Sequence, residues 1–290
     1  MFQIITDNGA DLPKDWMVEN EVGCIYLSTI LDGEVIAGKD KDLSAEDFYN
    51  MLSEGAKPST SQVNPEQAKG YFTEHIDEAD EFLYIGLSSG LSGTVGSVRA
   101  GVAEVLETYP DKKIEVVDSL TGSLGEGLAV WYAVKMRNEG KSFDETVKWL
   151  NDNIQHFVLA ITVDNLFDLW RGGRVSRTSA VIGSLASVKP YLIVNEEGKL
   201  VVPKKLRGRK KALAYLVEAF EMHKGIEFDG NKDMLMICHG NVADDADYVR
   251  QLLEEKFGYK NFIMSNVGPM IGTHTGASLV VLAFLGDSRY

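Results

Sequence analysis

Three polar loops carry the residue types from which a site for a small anion can be built. They are Pro58-Ser59-Thr60-Ser61-Gln62, Gly86-Leu87-Ser88-Ser89-Gly90-Leu91-Ser92-Gly93-Thr94 and Gly272-Thr273-His274-Thr275-Gly276. The second loop runs from an apolar strand into a helix, the place where α/β sheets bind ligands. Its glycines let backbone approach a ligand, and a helix start offers unpaired N–H groups and partial positive charge. Ser88, Ser89, Ser92 and Thr94 add hydroxyl donors, although an ordinary capped loop uses the same residues. His274 lies between threonines and glycines, a poor setting for a packed core histidine and a reasonable one for a donor to an anion. It has no companions at metal-ligand spacing: His75, His156, His223 and His239 are scattered. No metal or cofactor is expected.

Other chemistries are weighed against the same residues. No Gly-Lys-Ser/Thr follows the second loop as in a Walker A motif, and no G-x-G-x-x-G is present there. Gly86-Leu87-Ser88-Ser89-Gly90 does fit G-x-S-x-G, the nucleophile elbow of serine hydrolases, with acids and then His274 following in chain order. Against that reading, Gly90 and Gly93 delay the helix to about Thr94, and the sole His-Gly pair, His239-Gly240, lies far downstream. Asp118 and Ser119, at a strand end, offer a catalytic pair but read more readily as caps for the next helix. Arg171-Gly172-Gly173-Arg174 is a basic turn that either ends a helix or meets a phosphate or partner. Lys204, Lys205, Arg207, Arg209, Lys210 and Lys211 form a basic segment, read either as a solvated hairpin end or as a docking patch.

These loops need elements to hold them. Strands are expected at 2–6, 82–85 and 114–118, with a further apolar run over 23–31 that turns at Asp32-Gly33. Ser44 caps one helix, Pro65 opens another that runs to about His75, and helices follow over 94–107, 121–139 and 142–155. Strands alternating with helices imply a parallel sheet covered on both faces. A second domain begins at Phe157 with a strand over 157–161. It continues with a hairpin of 188–194 and 199–206, helices over 210–223 and 243–257, and strands over 234–238, 261–267 and 278–285. The His274 loop joins the last two strands. The division expected is therefore 1–156 and 157–290, both α/β.

The bulk properties agree with an ordinary globular chain of 290 residues, 44% hydrophobic and 25% charged. No apolar run approaches the length that crosses a bilayer, and no leader-like segment opens the chain. Cys24 and Cys238 sit in apolar runs far apart and read as free core thiols, which makes the cytoplasm the expected compartment. A net charge of −14 argues against nucleic acid as the main partner.

Taken in order, the motifs resemble the DegV family of bacterial fatty-acid-binding proteins. The matching residues are Thr6-Asp7, Ser59-Thr60-Ser61-Gln62, Ser88-Ser89-Gly90-Leu91-Ser92-Gly93-Thr94 and Val117-Asp118-Ser119. Leu169-Trp170-Arg171-Gly172-Gly173-Arg174 and Ile271-Gly272-Thr273-His274-Thr275-Gly276 complete the set, which spans nearly the whole chain. The resemblance implies an N-terminal α/β domain with a parallel sheet, a C-terminal α/β domain, and a lipid tunnel between layers. It implies that Thr60 (or Ser61), Ser92 with the Gly93 backbone, and His274 hold a long-chain fatty acid's carboxylate. It further implies a carrier rather than an enzyme, acting as the acyl-carrying subunit of a fatty acid kinase. A separate ATP-binding partner would make the acyl phosphate that feeds phospholipid synthesis, with Arg171, Arg174 and Arg207 facing that partner. The chain departs from the family pattern at Val63 and at Gly276-Ala277-Ser278. A serine hydrolase using Ser88 and a binding module for another small anion are the alternatives.

Overall fold

A computed structural model describes residues 1–176, 187–225, 228–229 and 232–289 of the chain. The first half runs β1 (Gln3–Asp7), α1 (Lys14–Glu19), β2 (Val22–Ile25), β3 (Ser28–Leu31), β4 (Glu34–Ala37), α2 (Ala45–Ser53), β5 (Ser59–Ser61) and α3 (Pro65–Glu74). It continues with β6 (Glu81–Gly86), α4 (Thr94–Thr108), β7 (Lys113–Asp118), α5 (Leu124–Asn138) and α6 (Phe143–Asn153). The second half holds β8 (Phe157–Thr162), α7 (Phe167–Arg171), β9 (Val188–Val194), β10 (Leu200–Arg207), α8 (Arg209–His223) and β11 (Leu235–His239). It ends with α9 (Ala243–Phe257), β12 (Phe262–Asn266), α10 (Pro269–Thr275) and β13 (Val280–Leu285).

The expected parallel sheet is present, in the order β2-β1-β6-β7. Alternation along its strands separates two faces. Ile5, Phe82, Tyr84 and Val116 pack against α3 and α4, and Ile4, Leu83, Ile85 and Val117 against α5. The second sheet has the order β10-β9-β8-β13-β11-β12 and is antiparallel except for β11 with β12. Val158 and Ala160 face α8 and α9, whereas Leu159 and Ile161 face the opposite way, toward α5. Helix α5 thus lies between the two sheets, which explains why Leu124, Leu128, Ala129, Val130 and Ala133 are all buried: a helix covered on every side needs no polar stripe. One apolar cluster runs through it from β1 to β13.

Local signals explain most boundaries. Ser44 accepts from Asp47 N at the start of α2, and Asn64 with Gln67 forms a capping box at α3. Asp32 and Gly33, at φ 52° and 85°, make the tight turn between β3 and β4.

Four expectations need correction. The apolar run 23–31 is broken at Tyr26-Leu27 and serves two sheets, because β3 pairs with β4 and β5 in a separate three-stranded sheet. The Thr60 segment is the edge strand β5, with Thr60 opposite Thr29. His274 sits on a helix: Pro269 opens α10 and Gly276, at φ 72°, ends it, signals that the glycines at 272 and 276 obscured. Asp118 caps a turn, accepting from Ser89 N and Leu120 N, and α5 starts only at Leu124.

Candidate functional site

Residues from four elements meet around one cavity of about 570 Å³. Thr60, Ser61 and Gln62 enter from β5, Ser92 and Gly93 from the start of α4, His274 and Thr275 from α10, and Arg174 from the turn after α7. The rest of the wall is largely apolar. Leu192, Ile161 and Val281 lie side by side across β9, β8 and β13, since Ile161 pairs with both neighbours in register. Leu159, Val194 and Leu200 extend that floor, and Leu87, Leu91, Met270 and Ile271 cover it.

The polar end is built through contacts distant in sequence. Thr60 Oγ1 and His274 Nε2 are 2.8 Å apart, although 214 positions separate them. Ser92 Oγ lies 2.9 Å from Thr94 Oγ1 and accepts from Thr94 N, so it stands at the mouth of the first turn of α4. Gln62 donates to Ser97 Oγ and lays its carboxamide against Gly93, where a Cβ would fall 2.4 Å from Gln62 Oε1. Burial, and then the positive charges of Arg174 and Arg171, hold the His274 pKa down to about 4. The imidazole is therefore neutral near pH 7 and carries one N–H. Its Nδ1 is buried and has no hydrogen-bond partner among the described residues.

The arginines separate by position. Arg174 lines the cavity, donates to Leu91 O and Gly172 O, and has its pKa lowered by burial. Arg171 lies behind the site, donating to Pro58 O and Thr273 O and so tying β5 to α10. Arg207 is exposed at the end of β10 and does not line the cavity. Of the basic segment, Arg209 is paired with Asp245 and Asp164, and Lys204 lies over the Tyr215 ring.

Ser88 is fully buried. Its hydroxyl donates to Gly198 O at 2.8 Å and accepts from Gly90 N, with no acid or histidine among these partners. It fastens the Gly/Ser loop to the β9–β10 turn. Ser88→Ala is expected to lower stability by about 1–3 kcal/mol, the cost of leaving a buried carbonyl unpaired, while ligand binding persists. Thermal denaturation beside a binding titration checks this. Unchanged stability with a lost acyl-hydrolase activity would favour the elbow reading.

Sequence reasoning missed several residues. Ser123 lines the cavity at φ 50° and ψ −142°, a conformation costly for a residue with a side chain, and donates to Asp11 Oδ2 at 2.6 Å. A serine before a helix reads as a routine cap, so nothing local distinguishes it. Gly172 passes as half of a flexible pair. The wall residues Leu159, Ile161, Leu192 and Val281 look like any buried strand.

The family model described as "Uncharacterised protein, DegV family" matches residues 1–287. A DegV domain-containing protein of Clostridium perfringens is 40% identical over 289 residues, covering 99% of this chain and 98% of the relative. The solved structure of a fatty acid binding DegV family protein from Streptococcus agalactiae is 28% identical, with a TM-score of 0.84 and 99% of both chains covered. That of a DegV family protein from Thermus thermophilus, described for its fatty acid binding, is 27% identical with a TM-score of 0.85, covering 98% of this chain and 99% of the other.

Proposed function

For this chain, which belongs to the DegV family, we propose that the cavity binds one long-chain fatty acid with its carboxylate at the Thr60–Ser92–His274 end. The observation that carries the reading is the division of the cavity: hydroxyls and a neutral imidazole at one end, and leucine, isoleucine and valine along the floor. Each buried methylene contributes about 0.8 kcal/mol, so a chain of about 15 supplies roughly 12 kcal/mol before ordering costs. A buried carboxylate is prohibitive without donors, and each hydrogen bond to a charged group returns about 1.5–3 kcal/mol. Thr60 (with Ser61 beside it), the Ser92 hydroxyl, the Gly93 backbone and His274 are the donors we assign. Similarity to relatives described as fatty acid binding supports the ligand class.

We read the chain as a carrier that leaves the chemistry to a partner kinase in the cytoplasm, which would convert the bound acid to an acyl phosphate for phospholipid synthesis. Arg174 beside the headgroup end, with Arg171 and the exposed Arg207, supports a cationic face for that partner. Among the described residues no helix is long and apolar enough to cross a membrane. We propose a division at 156/157 in topology alone, because α5 of the first part packs on both sheets and joins the two parts in one core.

The experiment is mass spectrometry of organic extracts from the purified protein, beside an unrelated protein from the same host. A stoichiometric fatty acid is expected. A protein that arrives empty and takes up no added hexadecanoic acid would sink the proposal.

A further inference from the structure

The two glycines of Arg171-Gly172-Gly173-Arg174 have different reasons to be glycine. Gly173 has φ +76°, a conformation that L side chains rarely adopt, and an added Cβ there meets nothing within 4 Å among the described residues. Gly172 is the reverse. Its φ of −74° and ψ of −6° suit any residue, yet a Cβ would fall 2.3 Å from His274 Nδ1 and 3.2 Å from the ring carbons Cγ and Cε1. Space, not conformation, demands the glycine.

The imidazole is therefore held from two sides. Nε2 meets Thr60 Oγ1 at 2.8 Å, and the Nδ1 edge rests against the Gly172 backbone. A histidine that must present one nitrogen is commonly oriented by a hydrogen bond at the other. Here Nδ1 has no such partner among the described residues, and steric contact supplies the orientation. The Gly172 wall does not yield easily. Gly172 N donates to Asp168 O at 2.8 Å, Gly173 N donates to Trp170 O at 2.9 Å, and Arg174 donates to Gly172 O. Arg171 in turn ties the same turn to Thr273 O, one residue before His274.

We infer that Gly172 is a positioning residue for the carboxylate site, holding the His274 ring against Thr60 by the absence of a side chain. The inference rests on the proposed role of His274 and adds the residue that aims it. A methyl group at position 172 would press on the Nδ1 edge while Thr60 blocks the opposite edge, so the ring would have to swing out of the line between them, separating the donors that must converge on one headgroup.

The test is a double-mutant cycle in the full chain, with delipidated protein and hexadecanoic acid as probe. Gly172→Ala and His274→Ala should each weaken binding tenfold or more. The double variant should bind no more weakly than His274→Ala alone, because a positioning residue has nothing left to position. A ring pushed outward should also titrate nearer the ordinary histidine range, read from its proton NMR signals in Gly172→Ala. Should Gly172→Ala fail to fold, His274→Ala added to it should restore folding by removing the clash, and failure to do so overturns the inference. Unchanged affinity in Gly172→Ala, or losses that add in the double variant, overturns it as well. Wild-type affinity in His274→Ala removes the carboxylate assignment itself and the inference with it, an outcome distinct from a failure of Gly172 alone.

Discussion

Replacing Ile161 with tryptophan is expected to leave the protein folded but without bound fatty acid. Ile161 occupies the middle of the row Leu192–Ile161–Val281, so a larger side chain there projects into the centre of the cavity. Overfilling a packed core typically costs about 1–3 kcal/mol, but here the indole enters open space and the penalty should fall at the low end. The acyl chain has no such latitude. Blocking half of about 15 methylenes forfeits roughly 6 kcal/mol, on the order of 10,000-fold in affinity. Lipid extraction and a melting curve on the same sample separate the two effects. Ile161→Ala is the companion: it widens the cavity, keeps the polar end, and should still bind. If Ile161→Trp carries a full complement of fatty acid, the chain does not lie on this floor.

The second large effect concerns acids that take no part in the proposed binding. Asp7, Asp11 and Glu126 are buried where β1 and the following loop meet α5, and Asp7 and Asp11 also line a second cavity of about 620 Å³ that shares Met270 with the first. Burial raises the pKa of all three, that of Asp11 to about 7 from 3.8 despite hydrogen bonds from Ser123 and Gly268 N. The unfolded chain releases these protons near pH 4, whereas the folded chain retains them to higher pH. Their contribution to stability is thus complete below about pH 4; that of Asp11 is lost as pH rises toward 7, and those of Asp7 and Glu126 as pH rises through their own raised values. His274 acts in the opposite sense: its neutral ring favours the fold above its ordinary pKa of 6.5, and that contribution fades as pH falls toward 4. Three acids against one histidine should make the protein less stable at pH 7.5 than at pH 5. Asp11→Asn removes the titration while keeping the shape. It is expected to flatten the slope and to raise stability at pH 7.5 by about 2–4 kcal/mol, given roughly 1.4 kcal/mol per pKa unit. Urea melts of both proteins at the two pH values decide it. A wild-type protein more stable at pH 7.5, or a variant with the same slope, would mean that the acids are ionised in the fold.

Much of the architecture follows from the sequence because its causes are local. Alternating apolar residues in Phe82-Leu83-Tyr84-Ile85 dictate a strand with two faces, and Val95, Val98, Val102 and Val105 dictate a helix with one. Asn64 with Gln67 starts a helix, and Asp32-Gly33 turns a hairpin, within a few residues of backbone. The ordered set of Ser/Thr/Gly loops was likewise legible, since each lies within one stretch of chain, and so was the list of candidate donors. The tertiary structure decided what those donors do together. Thr60 and His274 become neighbours only because β5 pairs with β3 and α10 packs beside them, choices of register and packing that no window of sequence contains. The same holds for Gly172, which looks interchangeable with Gly173 until the ring of His274 is placed against it, and for Ser88, a plausible nucleophile until its hydroxyl meets Gly198. The cavity is the extreme case. It is space left between the six-stranded sheet and the loops and helix opposite it, by side chains that periodicity marks only as buried. A residue's burial follows from its own apolar character, but whether it packs against a neighbour or against a void depends on the shapes of everything opposite.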